Sequence, residues 1–277
     1  MDETRRARRE ARRRQRERRT AGCCGLIALA AVLLAAYGIA RTVGFFDRFQ
    51  WPDFLSPDPR PALEFRMEDG YLTCTTVPTR RGIDVSEYQE DIDWEQVRGA
   101  GFDFAFIRIG YRGNSTGDIY PDDLARQNLA GAKAAGLDVG VYFYAQAVSP
   151  EEAAEEARWC LDFLAGETLD LPVVYDWEWV GGSARTANMD RETLTQCVKT
   201  FCDTVEGAGY RGMVYFNNHV SRDLLELSEL QSYPWWLAQY KDQLDYPHQV
   251  DFWQYTEEGT VPGIKGDVDI DLMFLHD

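Results

Sequence analysis

Short apolar runs alternate with amphipathic stretches along the chain from Gly82 onward. Runs rich in β-branched and aromatic residues predict strands at 83–86, 102–110, 137–147, 171–175 and 212–217. Apolar positions with helical spacing predict helices at 94–100, 121–135, 150–164, 191–206 and near 221–230. Three closely spaced strands follow without room for helices, at 235–240, 250–255 and 268–272. Strands and helices therefore alternate first, and strands dominate the end of the chain.

This alternation predicts an α/β fold. Repeated strand–helix units imply a parallel sheet, and about eight strands in roughly 195 residues imply that the sheet closes into a barrel. We expect an irregular TIM-like barrel at 82–277, with about five βα units followed by mainly β strands. In such a barrel, functional side chains collect at the carboxyl ends of the strands.

The chain before the barrel has a different composition. Residues 1–20 hold ten arginines and four acids, and residues 23–40 form an uncharged, nearly all-apolar run. That run is just long enough to cross a bilayer, and the arginines on its N-terminal side favour a cytoplasmic N-terminus. We predict a basic cytoplasmic segment, a single transmembrane helix at 21–41 that anchors the protein in a bacterial cell membrane, and a Pro- and aromatic-rich spacer at 42–81. A cleaved signal peptide is the alternative.

Charge and cysteine spacing narrow the possible partners. The net charge is −17, and the part after residue 20 alone carries −23. A surface that acidic argues against binding to nucleic acid, because phosphate binding needs basic residues. The six cysteines lack zinc spacing, and His219, His248 and His276 are too scattered for a metal site or a triad. We therefore predict no metal and no cofactor.

Two carboxylates end the predicted strand at 171–175. Asp176 and Glu178 are two residues apart, and side chains with this spacing on a strand point to the same face. Adjacent like charges repel and their desolvation is costly, so one carboxyl should keep its proton to an unusually high pH. A general acid requires such a proton. The alternative is a strand end whose acids simply point into water.

Other strand ends carry further acids and aromatic or amide side chains. Asp84 and Asp269 would converge with the acid pair, which is a composition suited to acetal chemistry. Aromatic faces pack on sugar rings, so the same strand ends predict substrate contacts at Tyr111, Tyr144, Asn217, Tyr240 and Gln254. These residues together suit a sugar polymer as the substrate.

Eight short segments carry a more specific signal. They are 82–89 (GIDVSEYQ), 92–94 (IDW), 104–112 (FAFIRIGYR), 140–144 (GVYFY), 176–178 (DWE), 236–240 (WLAQY), 253–255 (WQY) and 266–269 (GDVD). Their order and spacing resemble those of glycoside hydrolase family 25, the lysozymes of the Chalaropsis type. Trp177 and Trp236 lie in matching segments and complete the predicted substrate contacts.

The resemblance implies cleavage of the β-1,4 bond between N-acetylmuramic acid and N-acetylglucosamine, with peptidoglycan glycan strands as the partner. By position, Glu178 resembles the general acid, and Asp176 resembles the residue that stabilises the reacting sugar or orients its 2-acetamido group. Asp84 and Asp269 match the other pocket acids. A carboxylate nucleophile and assistance by the acetamido oxygen are both conceivable. Adjacent acids favour the second, because they approach the sugar from nearly the same side.

Two positions depart from the family pattern. Phe143 stands where many relatives have histidine, and we expect altered subsite contacts with retained chemistry. Asp271 stands where asparagine is frequent, and we expect its charge to tune the pocket.

Two other functions are open at this point. The first is a catalytically weak wall-binding scaffold of an envelope complex, although four acids favour an enzyme because a binding module does not need the acid pair. The second is a hydrolase secreted against other bacteria, which requires cleavage of the apolar run. An enzyme that acts on its own wall would also need a regulatory partner in the envelope.

Overall fold

A computed structural model describes residues 63–275. It begins with a two-stranded antiparallel hairpin, β1 Phe65–Glu68 and β2 Tyr71–Cys74. Asp69 and Gly70 both adopt positive φ, which suits the tight turn that joins the two strands. Phe65 packs against Trp253 with ring centroids 4.8 Å apart, so the hairpin rests on the barrel. These residues belong to the predicted spacer, and its part at 42–62 lies outside the described residues.

A nine-stranded sheet forms the body of the protein. Its strands are β3 Thr79–Val85, β4 Phe104–Arg112, β5 Ile119–Pro121, β6 Asp138–Ala145, β7 Val173–Trp177, β8 Gly212–Asn217, β9 Trp235–Ala238, β10 Phe252–Gly259 and β11 Val268–Phe274. Eight of them close into a barrel because β3 pairs with β11 on one side and with β4 on the other. The short β5 pairs with β4 and lies outside the ring.

The barrel is mixed and not parallel throughout. Neighbouring strands from β3 through β10 run parallel, whereas β11 is antiparallel to both β10 and β3. The connection between β10 and β11 is too short for the crossover that parallel pairing requires, so the chain turns back. This reversal places the start of β11 beside the carboxyl ends of the other strands.

Four α-helices lie between the strands in the described part of the chain. They are α1 Trp94–Gly99, α2 Ala125–Ala134, α3 Pro150–Leu164 and α4 Arg191–Gly207. The helix predicted near 221–230 is replaced by a short π-turn at Val220–Leu224 and a 3-10 turn at Leu227–Glu229. The predicted TIM-like barrel is therefore wrong: the structure is an eight-stranded mixed β-barrel with few helices.

Membrane spanning was predicted for residues outside the described range. Among residues 63–275, no helix is both long and apolar enough to cross a bilayer. The transmembrane helix predicted at 21–41 falls before this range, so nothing in the structure supports it.

Cys74, Cys160, Cys197 and Cys202 are free thiols and all four are buried.

Apolar side chains pack on both faces of the barrel wall. The outer faces of the strands pack against the helices and form the larger core. Inside the barrel, a second cluster contains Phe104, Phe106, Val174, Met213, Trp236 and Phe252. Gly82 and Gly140 leave space for two of these rings, because a Cβ atom at either position would overlap Phe104 or Phe106. This filled interior forms the base on which polar side chains converge.

Candidate active site

A cavity of about 240 Å³ lies where the carboxyl ends of the parallel strands meet. Every strand of the closed barrel contributes to it. The lining residues are Asp84, Ser86, Tyr88, Gln89, Arg108, Tyr142, Tyr144, Asp176, Glu178, Tyr215, Trp236, Tyr240, Gln254, Glu257 and Asp269. Asp269 reaches the same end from the beginning of β11 because that strand runs in the opposite direction.

Asp176 and Glu178 both line the cavity, whereas Trp177 between them does not. Strand alternation turns the Trp177 ring outward, where it is 1% exposed in the core between sheet and helices. Asp176 is 7% exposed, and Glu178 is half-buried just beyond the end of β7. The side-chain amide of Gln146 donates a 3.0 Å hydrogen bond to the Glu178 carbonyl oxygen. The acid pair therefore has a fixed backbone and a common face.

Both members of the pair have raised pKa values. Burial is the main cause for Asp176, and the neighbouring Glu178 charge raises its pKa further, while Arg108 acts to lower it. Burial also raises the pKa of Glu178, a hydrogen bond from Tyr215 lowers it, and the charge of Glu257 raises it. The Tyr215 hydroxyl lies 3.4 Å from Glu178 Oε1. The site thus favours a proton on this pair.

A hydrogen-bonded amide connects the acid pair to the cavity floor. Gln254 Oε1 accepts hydrogen bonds from the hydroxyls of Tyr215 and Tyr240, each at 3.1 Å. Its Nε2 donates to Asp84 Oδ2 at 2.7 Å. Burial raises the pKa of Asp84 well above its usual range, and Asp269 adds to this effect. Burial and the charges of Glu257 and Glu178 raise the pKa of Asp269 to about 7.

Arg108 is the one basic side chain among the described residues that line the cavity. Its guanidinium forms ion pairs with Asp122 at 2.9 Å and with Glu87 at 3.2 Å. It also lies over the ring of Tyr88, 4.9 Å from the centroid. The sequence analysis did not select Arg108, although a charged residue within the apolar run 104–109 is a recognisable signal.

Eight of the predicted site residues meet in the cavity: Asp84, Asp176, Glu178, Asp269, Tyr144, Trp236, Tyr240 and Gln254. Trp236 is only 1% exposed, so it contributes little more than one edge to the floor. Three other predicted substrate contacts, Tyr111, Trp177 and Asn217, are not among the lining residues. Tyr111 stacks on Tyr120, and Asn217 Oδ1 accepts hydrogen bonds from the backbone at the following turn.

The cavity also includes residues that the sequence analysis did not select. Tyr142 and Tyr215 precede the predicted Tyr144 and Asn217 by two positions, so strand alternation could have identified both. Ser86, Tyr88 and Gln89 belong to a short 3-10 turn after β3 and to its N-cap, where strand periodicity gives no signal. Glu257 lies on β10 at a register irregularity, which interrupts the alternation. Phe143 faces away from the cavity and packs against Trp159.

The chemistry of this site is that of a carbohydrate hydrolase. Carboxyls with raised pKa values face a cavity that aromatic side chains and amides also line, which is typical of glycoside cleavage. Within residues 63–275, no group of three or more His, Cys, Asp or Glu side chains is arranged to hold a metal ion.

Sequence comparison gives the family. The profile of the glycosyl hydrolases family 25 matches residues 83–264, and the chain belongs to this family. The predicted resemblance is therefore confirmed. The autolytic lysozyme of Clostridium acetobutylicum is 29% identical over 194 residues, covering 69% of this chain and 55% of the relative. Lysozyme M1 of Streptomyces globisporus is 26% identical over 204 residues, covering 68% of this chain and 66% of the relative.

Structural comparison agrees with this assignment at the level of the fold. The modular autolysin LytC from Streptococcus pneumoniae, solved in complex with a synthetic peptidoglycan ligand, superposes with a TM-score of 0.64 at 24% identity. The match covers 75% of this chain and 51% of LytC. The chain thus spans about half the length of LytC and of the clostridial lysozyme.

Proposed function

We propose that this protein is a peptidoglycan hydrolase that cleaves the β-1,4 bond between N-acetylmuramic acid and N-acetylglucosamine. The observation that carries the proposal is the acid pair at the end of β7, buried in a cavity lined by tyrosines. Membership of glycosyl hydrolases family 25 and similarity to two proteins named lysozymes support the same substrate. A regulatory partner in the envelope and a membrane location stay predictions.

Glu178 is the general acid in this proposal. It lies at the open end of the strand, and burial raises its pKa, so the carboxyl keeps its proton to a higher pH than an exposed glutamate does. Protonation of the glycosidic oxygen by Glu178 allows the bond from that oxygen to C1 of the muramic sugar to break. The Tyr215 hydroxyl lies 3.4 Å from Glu178 Oε1 and 3.1 Å from Gln254 Oε1, so these two acceptors share its one proton.

Asp176 acts on the 2-acetamido group of the same sugar. Because Asp176 and Glu178 share one face of β7, they approach the sugar from nearly the same side, whereas a direct nucleophile must attack the face opposite the acid. The acetamido oxygen therefore attacks C1 and forms a cyclic intermediate, and Asp176 stabilises the positive charge that develops on the acetamido nitrogen. Water then opens this ring at C1 and loses its proton to the Glu178 carboxylate, which restores the acid.

Aromatic and amide side chains complete the binding surface. Tyr240 is 47% exposed and Tyr88 is 76% exposed, so both offer ring faces to sugar units at the cavity mouth. Arg108 balances part of the negative charge of the acids around it.

The proposal is tested by incubating the full-length protein with purified peptidoglycan and identifying the new reducing ends. We expect muramic-acid ends, and we expect Glu178→Gln to lower the rate by about 100-fold or more, because general acid catalysis contributes on this order. Glu258→Gln serves as the control, because Glu258 does not line the cavity.

Two outcomes would reject the muramidase. Release of glucosamine ends instead of muramic ends would assign a different bond specificity. If neither the unsubstituted protein nor Glu178→Gln cuts the wall while both sediment with it, the scaffold function replaces the enzyme.

A further inference from the structure

Asp271 is a buried carboxyl directly beneath the cavity. It lies on β11, two residues from Asp269, and is 0% exposed. Its Oδ1 accepts a 2.8 Å hydrogen bond from the indole Nε1 of Trp236. Its Oδ2 is buried and has no N–H or O–H donor among the residues that the structure describes. An ionised carboxyl in this position would be a buried negative charge with a hydrogen bond to only one of its two oxygens, which is energetically costly.

Asp271 has another carboxyl as its diagonal neighbour on the inner face of the sheet. In the register of β11 and β3, Asp269 pairs with Asp84 and Asp271 pairs with Gly82, which has no side chain, so the Asp271 and Asp84 carboxyls are hydrogen-bonding neighbours. An ionised carboxyl can only accept hydrogen bonds, so a bond between two carboxyls requires a proton on one of them. The pair must therefore hold at least one proton to have this geometry.

A hydrogen bond from Gln254 fixes one oxygen of Asp84 as an acceptor. Gln254 Oε1 accepts from two tyrosine hydroxyls, which fixes the orientation of the amide and directs Nε2 toward Asp84 Oδ2. Asp84 Oδ2 is thus an acceptor. The proton that the pair holds consequently does not lie toward Gln254 but between the two carboxyls.

We propose that Asp84 and Asp271 share a single proton, and that Asp271 is a positioning residue that holds the Asp84 carboxyl in its place on the cavity floor. The role of Asp84 toward the sugar rests on the proposed function, whereas the shared proton does not. Loss of the proton would place two carboxylates in contact, and their repulsion would displace the Asp84 carboxyl from Asp271.

The surroundings of the pair favour the protonated form. Burial raises the pKa of Asp271 and of Asp84, and the charge of Asp269 raises both further. The titratable, charged and hydrogen-bonding groups around the pair are Asp269 on β11 itself and, from the other strands, Arg108, Tyr142, Asp176, Tyr215, Trp236 and Gln254. Within this set, Arg108 is the one cation, and it is paired with Asp122 and Glu87.

The shared proton makes stability depend on pH. In the unfolded chain both aspartates ionise near pH 4, whereas the folded pair keeps its proton to a higher pH. The unfolded state therefore loses protons first, and the folded state becomes less stable as the pH rises between these two values. Asp271→Asn removes this dependence, because asparagine can accept from Trp236 through Oδ1 and donate to Asp84 through Nδ2.

The test compares the melting temperatures of the full-length protein and Asp271→Asn from about pH 4 to about pH 8. We expect near-equal values at the acid end and a value for Asp271→Asn that is higher by about 3 °C or more at the alkaline end. Asp84→Asn should give the same trend, and the double variant should add little to either, since one proton is shared. Asp162→Asn, an exposed aspartate on α3, is the control and should follow the unsubstituted protein.

A melting-temperature difference between the unsubstituted protein and Asp271→Asn that stays constant with pH, or additive effects in the double variant, would overturn the shared proton. Infrared spectroscopy of the full-length protein gives a second measurement. The absorption of protonated carboxyls near neutral pH should decrease in Asp271→Asn, and an unchanged absorption would also overturn the proposal. Both readouts are independent of hydrolysis, so they separate this inference from a failure of the muramidase proposal.

The positioning role is tested by kcat/KM on peptidoglycan at neutral pH. Asp271→Leu, which cannot hydrogen-bond to Asp84, should lower kcat/KM, and Asp271→Asn should restore it, because its Nδ2 can donate to Asp84. Equal losses in the two variants, or no loss in Asp271→Leu, would exclude the positioning role.

Discussion

The surroundings of Glu178 shift the pKa of its carboxyl in opposite directions. Burial raises the pKa of its carboxyl, the hydrogen bond from Tyr215 lowers it, and the charge of Glu257 raises it. A general acid is active while it is protonated, so the alkaline limit of activity follows this pKa. Glu257 is exposed at the rim, which makes it a neighbour that can be changed without disturbing the core.

We predict that Glu257→Gln moves the alkaline limb of the kcat/KM profile to lower pH. Removal of the negative charge lowers the pKa of Glu178, so its proton is lost earlier as the pH rises. Solvent screening at this exposed position limits the shift and makes it larger at low ionic strength. The profile should be measured on peptidoglycan at two salt concentrations.

Glu258→Gln is the matched control for this prediction. It removes the same charge one residue away and is exposed, but it does not line the cavity. Equal shifts in the two variants would mean that overall surface charge, and not Glu257, acts on the acid.

Residues of the site differ in how well the sequence could predict them. The carboxylates Asp84, Asp176 and Glu178 could be selected because polar groups at strand ends are costly unless they have a use. Trp177 was predicted as a substrate contact because it lies in a matching segment, although strand alternation already places it on the face opposite Asp176 and Glu178, where the structure has it. Its predicted role in substrate binding stays untested. Asp271 was noted for its charge, but its contact with Asp84 depends on strand register, which no local pattern encodes.

At the level of elements, the sequence predicted the parallel strands and their helices well. Each apolar run between β3 and β8 is followed by an amphipathic stretch or a loop that returns the chain to the same end. The direction of β11 could not be read from periodicity, because parallel and antiparallel strands share the same alternation. The helix expected near 221–230 failed because apolar spacing continues through two short turns in which the backbone does not stay helical.

The barrel interior also limits which side chains β6 can carry. Gly140 on β6 faces Phe106, and a Cβ atom there would overlap this ring and approach Leu171 within 2.9 Å. Phe106 stacks on Trp236 with centroids 4.7 Å apart, and Trp236 donates to Asp271. Added volume at Gly140 would therefore displace the floor of the cavity.

We predict that Gly140→Ala destabilises the protein by about 1–3 kcal/mol, the usual cost of overpacking a core. Its melting temperature should fall by about 2–4 °C for each kcal/mol. Its activity should also be lower at temperatures at which the protein is still folded. Gly99→Ala is the control, because nothing lies within 4 Å of a Cβ atom at this position of α1. An unchanged melting temperature for Gly140→Ala would show that the interior can move to accept a methyl group.

At the scale of the whole molecule, two groups of acidic side chains differ in their location and in the direction of their pKa shifts. Buried carboxyls of the barrel interior have raised pKa values: Asp84, Asp176, Glu178, Asp269 and Asp271. Exposed carboxyls at helix starts and in surface ion pairs have lowered values: Asp93, Glu151, Asp190, Asp223 and Asp245. The two groups affect stability in opposite directions as pH changes.

The lowered group stabilises the folded state above pH 4 and loses this contribution as the pH falls through the folded pKa values. The raised group acts differently, because the folded state keeps protons that the unfolded chain loses near pH 4. Stability from the raised group is therefore complete below that pH and decreases as the pH rises toward the folded values, which reach about 7 for Asp269. The net charge of −17 adds repulsion in the same direction.

We predict that the melting temperature of the full-length protein is highest near pH 4–5 and falls toward pH 7–8, because the buried acids and the net charge then act together. Scanning calorimetry over this range gives the measurement. Asp269→Asn should reduce the slope between about pH 5 and pH 7, since it removes the carboxyl whose pKa lies in that window. A melting temperature that does not fall from pH 5 to pH 7 would mean that the acids of the cavity ionise in the folded protein without cost, because the surface carboxyls are already ionised over this range.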